Sequence, residues 1–465
     1  MLLPPRSALS PFSDDAFKLS RWSTAETLVV LDDAGDPQPM LATSWDREDE
    51  LTWRFSIREG VEFHDGSALD AEAVAVALQA AASADPTPRI LRGVELGVGV
   101  DGDEIVLTTA ASDPLLPQRL SSPQLSILAP AAYEGDVVDP VGTGTGPFEL
   151  VAVDGVVGAT LDRADDYWGE PAVAAGIDVA FVPDGTARAA ALRTGEGAVI
   201  VEAIPPGQAV NIDDGLIHEV PMPRTNTLYL NVESGPFADP AVRAAAREAV
   251  ERAAIVNSAY EGRADEASGL LGPALAWTTE LRDTDDYRSI LAGRAEPATV
   301  DGIEIVLGTY TDRSELPEVA VIIEQQLEAA GFVVTQDVRE YQFIEADALG
   351  GVFDAFILSR STVLDSGDPV AYFEADFVCD GGFSIAQLCD PDVDALIAEA
   401  AQTETGDERR VAIMAAEAAI LATDAAIPLV HERVIQGESA SVVDAARDPR
   451  ERLLVTASTT HSAPS

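Results

Sequence analysis

The chain has 465 residues, 47% of them hydrophobic, which is ample for a globular fold and too long for one ordinary core. Its 80 acidic residues against 29 basic ones give a net charge of −51, and Lys18 is the only lysine. Acid spread along the whole length reads as adaptation to high salt, where screening reduces repulsion within a carboxylate-rich surface, and it disfavours binding to DNA or RNA.

No run of 18 or more apolar residues marks a transmembrane helix. The start, "MLLPPRSALSPFSDD", has neither the charged n-region nor the long apolar h-region of an export signal. No repeat of 20–50 residues points to a solenoid or propeller.

The first strong pattern is "LTWRFSIREGVEFHDGSALDAEAV" (51–74). Trp53, Phe55 and Ile57 alternate with polar residues, as in a strand with one buried face. Val61 and Phe63 repeat the alternation after Gly60, so the stretch is expected to form a two-stranded hairpin. Asp65-Gly66 makes a turn, and Asp70 caps a helix starting at Ala71. His64 beside this turn is expected to be structural. "GDEIVLTTA" (102–110) and "GVVGATLDRA" (155–164) also alternate like strands.

"VGTGTGPFEL" (141–150) is glycine-rich, yet a phosphate loop needs a helix directly after it and usually a lysine. Pro147-Phe148 leads into a strand instead, so Gly142, Gly144 and Gly146 are read as tight turns. "PAVRAAAREAVERAAIVNSAYEG" (240–262) has helical spacing and ends at Gly262. "GIEIVLGTY" (302–310) followed by 316–338 predicts strand, helix and parallel strand. Two more helices are expected within 391–428, and the stretch from 438 onward loses periodicity and is expected to fray as a polar tail. Mixed strands and helices throughout give an α/β class.

Cys379 and Cys389 are the only cysteines, and the four histidines (His64, His218, His431, His461) lie far from them in sequence. Two cysteines alone do not build a zinc site; a short disulfide loop is favoured over free thiols. No G-x-S-x-G element or Ser/His/Asp set has recognisable local context, so no catalytic residue, cofactor site or metal site is assigned.

An ordered set of segments carries a resemblance: "PMLATSWDREDELTWRFSIREGVEFHDGSALDAEAV", "GTGTGPFEL", "RADDYWGEPA", "NTLYLNVESGPFADPAVRAAAREAVERAAIV" and "LEAAGFVV". Together they resemble the family 5 extracellular solute-binding proteins, the peptide and nickel receptors of ABC importers, from about Glu26 to about Ile435. The resemblance implies a large two-lobed periplasmic-binding-protein-like fold of type II with a small extra subdomain, about 43–175, in lobe I. Lobe I would be 1–231 with 429–465 and lobe II 232–428. "NTLYLN" and "IPLVHERV" would cross between them, with Asn231 at the hinge. Trp45, Trp53, Tyr167 and Trp168 would be packing residues.

The ligand implied is a short peptide or similar small solute, the partners a membrane permease and its ATPase subunits, the state monomeric and the place extracytoplasmic. In "LDSGDPVAYFEADFVC" Asp365 matches the carboxylate that holds a peptide's α-ammonium in relatives, Asp368 suits a helix cap, and Cys379 and Cys389 match a disulfide beyond it. Arg313 lies near where relatives hold the peptide carboxylate. A nickel or nickel-chelate receptor of the same family is one alternative, and a hydrolase on a similar scaffold another.

Overall fold

The computed structural model describes residues 1–195, 199–313, 315–363 and 366–462. The chain is mixed α/β and divides into two compact units. Unit 1 comprises Met1–Val220, Leu364–Gly367 and Val434–Ser465; unit 2 comprises Pro221–Val363 and Asp368–Arg433.

In unit 1, strands β1 (Ala42–Arg47), β2 (Thr52–Ile57), β3 (Leu96–Asp101) and β4 (Glu104–Thr109) form an antiparallel sheet in the order β1-β2-β4-β3. Helix α1 (Ala71–Ser83) packs its Val74 and Leu78 into the same core as Phe55, Ile105 and Leu107. Asp70 caps this helix, its side chain accepting from Ala73 N–H at 2.8 Å. A second antiparallel sheet holds β5 (Phe148–Asp154), β6 (Gly158–Arg163) and β7 (Gly176–Ala180).

The hairpin expected within 51–63 is a different one. β2 pairs with β1 and β4, Trp45 standing opposite Phe55. Val61–Phe63 folds instead across the Asp65-Gly66 turn: Phe63 N–H donates to Ser67 O at 2.8 Å and Leu69 N–H to Val61 O at 2.9 Å. The alternation was a sound strand signal, but Gly60 ends one strand without turning it back on itself. Pairing was decided by β4, which lies far along the chain and buries Ile105 and Leu107 completely.

The glycine segment makes turns and a close approach. A Cβ on Gly144 would lie 1.9 Å from Thr24 O, and one on Gly146 2.0 Å from Ser23 O. His64 ties in there, its Nε2 2.8 Å from Gly146 O and its N–H donating to Gly144 O at 2.8 Å. Burial holds its pKa below the ordinary histidine value.

The described residues of this stretch, 438–462, do not fray. Leu454 and Val455 are buried, and their N–H groups donate to Arg21 O at 3.1 and 2.9 Å. Ser20 and Ser23 hydroxyls donate to Arg452 O and Val455 O at 2.7 Å each. Irregular backbone lacks periodicity even when its hydrogen bonds are made, here partly to Arg21 and partly within the stretch itself, so the loss of period did not mean disorder.

The long strand β8 (Ile217–Leu230) gives residues to both units. In unit 2 it is followed by α2 (Pro240–Ala249), α3 (Arg252–Ala259), β9 (Ala264–Glu266), β10 (Ile303–Tyr310), α4 (Leu316–Ala329), β11 (Phe332–Arg339), α5 (Tyr341–Leu349) and β12 (Ala355–Ser361). Next come α6 (Val370–Asp376), α7 (Pro391–Gln402), α8 (Asp407–Ala422) and β13 (Ala426–Glu438), the last again shared by both units.

The sheet runs β13, β8, β12, β10, β11, with β9 also on β13. β10 lies parallel to both β11 and β12, with Ile303 opposite Phe332 and Leu307 opposite Ala355. The strand–helix–strand reading of 302–338 is therefore correct. The single helix expected over 240–262 is two. Val250 is extended, and the Gln326 side-chain amide takes over at the break, accepting from Glu251 N–H at 3.0 Å and donating to Glu251 O at 3.1 Å. A partner from α4 thus satisfies the backbone groups that the helix gives up.

Candidate functional site

In α/β sheets, ligands bind beyond the carboxyl ends of parallel strands, because the loops there diverge and their backbone groups are not used by the ladder. In unit 2 the parallel strands β10, β11 and β12 end at Tyr310, Arg339 and Ser361. β8 is antiparallel to β12, so Arg224, opposite Ser361, lies at the same end.

A charged network occupies this end. Arg313 Nη2 donates to Glu432 Oε2 at 2.6 Å and its Nε to Glu315 Oε1 at 2.9 Å. Ser359 Oγ donates to the other oxygen of Glu432 at 2.8 Å, and Arg224 Nε stands 3.8 Å from Glu432 Oε2. Glu432 is only 3% exposed. Burial works against the charge on Arg313, but Glu432 and Glu315 outweigh it, so its pKa is raised. Tyr260, hydrogen-bonded to Asn226, is pushed well above the ordinary phenol value by burial and then by Glu432 and Glu315.

Aromatic rings flank the charges. Tyr310 and Tyr341 meet edge to face with centroids 4.9 Å apart. The Arg360 guanidinium lies 4.2 Å from the Phe383 ring centroid and donates to both oxygens of the buried Asp376, at 2.6 and 2.9 Å among its contacts. Planar guanidinium groups over rings and against carboxylates suit recognition of a charged, partly apolar solute.

Of the residues singled out from the sequence, Arg313 lies in this network. Asp365 lies outside the described residues. Asp368 is not the cap of α6, whose N-cap is Pro369; it lies one residue earlier and accepts from Val370 N–H at 2.9 Å. Asn231 lies in unit 2 and is 4% exposed; its Oδ1 accepts from the N–H groups of Glu233 and Ser234 at 3.1 and 3.2 Å, and its Nδ2 donates to Gly351 O at 3.1 Å. The segments 226–231 and 427–434 fall on β8 and β13 apart from Asn231 itself, and the chain passes between units at 220/221, 363/364, 367/368 and 433/434.

Cys379 and Cys389 form a disulfide with Cα atoms 4.2 Å apart. Beside it is a pocket of about 240 Å³ lined by Glu233, Ser384 and Gln387 among others, all in unit 2. That is less than the roughly 300–1,000 Å³ of ordinary small-molecule sites. Among the described residues no cluster of three or more His, Cys, Asp or Glu is placed to hold a metal, and no helix is long and apolar enough to cross a membrane.

Sequence reading missed Glu432, Ser359 and Arg360, whose local context signals only strands. It also missed Glu26 in unit 1, which is 7% exposed and accepts from Thr145 Oγ1 at 2.7 Å, Tyr167 OH at 2.7 Å and Trp168 Nε1 at 2.9 Å. Burial raises the pKa of Glu26 against the pull of these donors. Tyr167 and Trp168 thus do more than pack: they satisfy a buried carboxylate, while the Arg58 guanidinium lies 4.7 Å from the Trp168 ring centroid.

The described geometry agrees with known proteins. Residues 36–384 match the family model "Bacterial extracellular solute-binding proteins, family 5 Middle". The probable di/tripeptide-binding protein 5 of Pseudomonas aeruginosa (strain UCBPP-PA14) is 26% identical over 449 residues, covering 85% of this chain and 82% of that protein. The glutathione-binding protein GsiB of Escherichia coli (strain K12) is 27% identical over 300 residues, covering 61% of this chain and 57% of that protein. The solved structure of a nickel ABC transporter protein from Bacillus halodurans shares the fold, with a TM-score of 0.81 at 24% identity and 98% of each chain covered. The chain belongs to the family 5 extracellular solute-binding proteins, the solute-capturing components of ABC importers.

Proposed function

We propose that this chain captures short peptides by their free α-ammonium and delivers them, as an extracytoplasmic monomer, to a membrane permease driven by separate ATPase subunits. Asp365 supplies the countercharge. An enclosed carboxylate needs a partner, and an ammonium offers charge-assisted hydrogen bonds to it. The observation that carries the reading is the placement of Arg313 and the Arg–aromatic surface at the carboxyl ends of β10 and β12, with Asp365 just past β12 in sequence. The name of the relative from Pseudomonas aeruginosa supports the peptide class.

Calorimetry with a panel of dipeptides on wild type and Asp365→Asn tests it. Removing one partner of a buried ion pair costs about 3–5 kcal/mol, or roughly two to four decades in affinity. An N-acetylated peptide is expected to bind wild type poorly and to lose little more in the variant. Equal affinity of both proteins for a free-amine peptide, or stabilisation by nickel salts and not by any peptide, overturns the reading.

A further inference from the structure

The carboxyl-end network of unit 2 contains its own anion. Arg313 brings a guanidinium to this end, but its Nη2 and Nε already donate to Glu432 at 2.6 Å and Glu315 at 2.9 Å. Glu432 is held from its other side by Ser359 Oγ at 2.8 Å, and at 3% exposure it has little water to retreat into. Arg224 Nε, 3.8 Å away, is the second cation facing it. Among the described residues, the guanidinium groups of Arg313 and Arg224 thus face the protein's own carboxylates, and Arg313 is engaged by anions before any ligand arrives.

A ligand carboxylate has two ways into such a site. It can displace Glu432, leaving a buried carboxylate without its cation, or it can enter as a third carboxylate against the other two. Both are unfavourable in a partly desolvated setting, where like charges repel strongly and removal of a charge partner is costly. A neutral carbonyl or amide meets neither obstacle.

We propose that Glu432 is a specificity-determining residue, a built-in carboxylate that occupies Arg313, so that the site takes ammonium-bearing ligands which bring no carboxylate to this position. Peptides with a masked C-terminus, or longer ones whose carboxylate lies elsewhere, are the class selected. The inference rests on the peptide reading above and adds which end of the peptide is read.

The test is competition by native mass spectrometry. Wild type is offered an equimolar mixture of Ala-, Leu- and Phe-containing dipeptides, each as the free acid and as the carboxamide. Retention of amides over acids by about tenfold or more is expected, about 1.4 kcal/mol in binding. In Glu432→Gln, which keeps the shape and removes one of the two carboxylates on Arg313, the ratio should fall by about tenfold or reverse.

The wild-type ratio does not depend on any variant folding, and Glu315→Gln, which removes the other carboxylate on Arg313, gives a second shift in the same direction. Preference for the free acid in wild type, or equal retention, overturns the inference and leaves the peptide reading standing. A wild-type preference for amides that neither variant alters overturns the role of Glu432. Retention of neither form overturns the peptide reading and this inference with it.

Discussion

Arg409 and Asp368 form a forked ion pair almost wholly out of water: Nε to Oδ2 at 2.7 Å and Nη2 to Oδ1 at 3.1 Å, with side chains 2% and 9% exposed. The pair fastens α8 to the residues that open α6, because Asp368 also accepts from Val370 N–H. Arg409 further donates to the carbonyls of Ala400 and Thr403 at the end of α7.

Arg409→Met should therefore cost about 3–5 kcal/mol, since it leaves a buried carboxylate without its cation. Urea denaturation measures this. Combining it with Asp368→Asn should recover part of the loss, because the stranded charge is then gone. A loss below about 1 kcal/mol for the single change would show that the pair is solvated.

Gly144→Ala should prevent unit 1 from folding normally, because the new Cβ would lie 1.9 Å from Thr24 O, a backbone atom that cannot step aside. Gly66→Ala is the comparison. Gly66 has φ +82° but open space around its Cβ position, so only conformational strain applies, roughly 1–2 kcal/mol. Expression yield and circular dichroism of the two variants should differ clearly, and equal behaviour would refute the close approach.

His431 gives a pH dependence with a definite sign. Burial, reinforced by Arg282, holds its pKa at about 3, against 6.5 for the free side chain. Its Nδ1 lies 2.9 Å from Thr225 Oγ1. The unfolded chain takes up a proton below pH 6.5 that the folded one refuses. The contribution is fully present above pH 6.5 and is lost as pH falls toward 3, by about 1.4 kcal/mol per unit. Denaturant melts at pH 7, 6 and 5 should show a steeper decline for wild type than for His431→Gln, by about that slope below pH 6. Parallel declines would mean that His431 is protonated in the folded protein.

Salt should stabilise the ligand-free protein. With a net charge of −51, self-repulsion acts over about 10 Å at 0.1 M salt and only about 3 Å at 1 M. The thermal midpoint should rise steadily with potassium chloride through this range and beyond. A midpoint insensitive to salt would remove the case for a high-salt adaptation.

How much could be read from the sequence depended on the range of the interaction. The Asp70 cap, the Asp65-Gly66 turn and the β10–α4–β11 unit were legible because their determinants sit within a few residues of one another: a side-chain acceptor before an apolar repeat, a turn dipeptide, a change of period from two to 3.6. The glycine segment was legible as turns, but not the reason for its glycines, because Thr24 and Ser23 approach it from far away in the chain.

The candidate site shows the same limit. Arg313 could be picked out, but not its partner Glu432, which is 119 residues distant. A glutamate inside an apolar strand gives no sign of which cation it will face. Family membership was likewise carried by the order of weak local motifs, each a short-range pattern.

By itself the sequence determined the class, the local elements, the overall charge and the family, because hydrophobic period, turn chemistry and composition act between neighbours. Only the tertiary structure decided which strands pair, where a helix gives way to a Gln326 amide, and which carboxylate neutralises Arg313. Those outcomes depend on groups brought together across the chain, where burial makes every unpaired hydrogen bond and charge costly and so selects one set of partners.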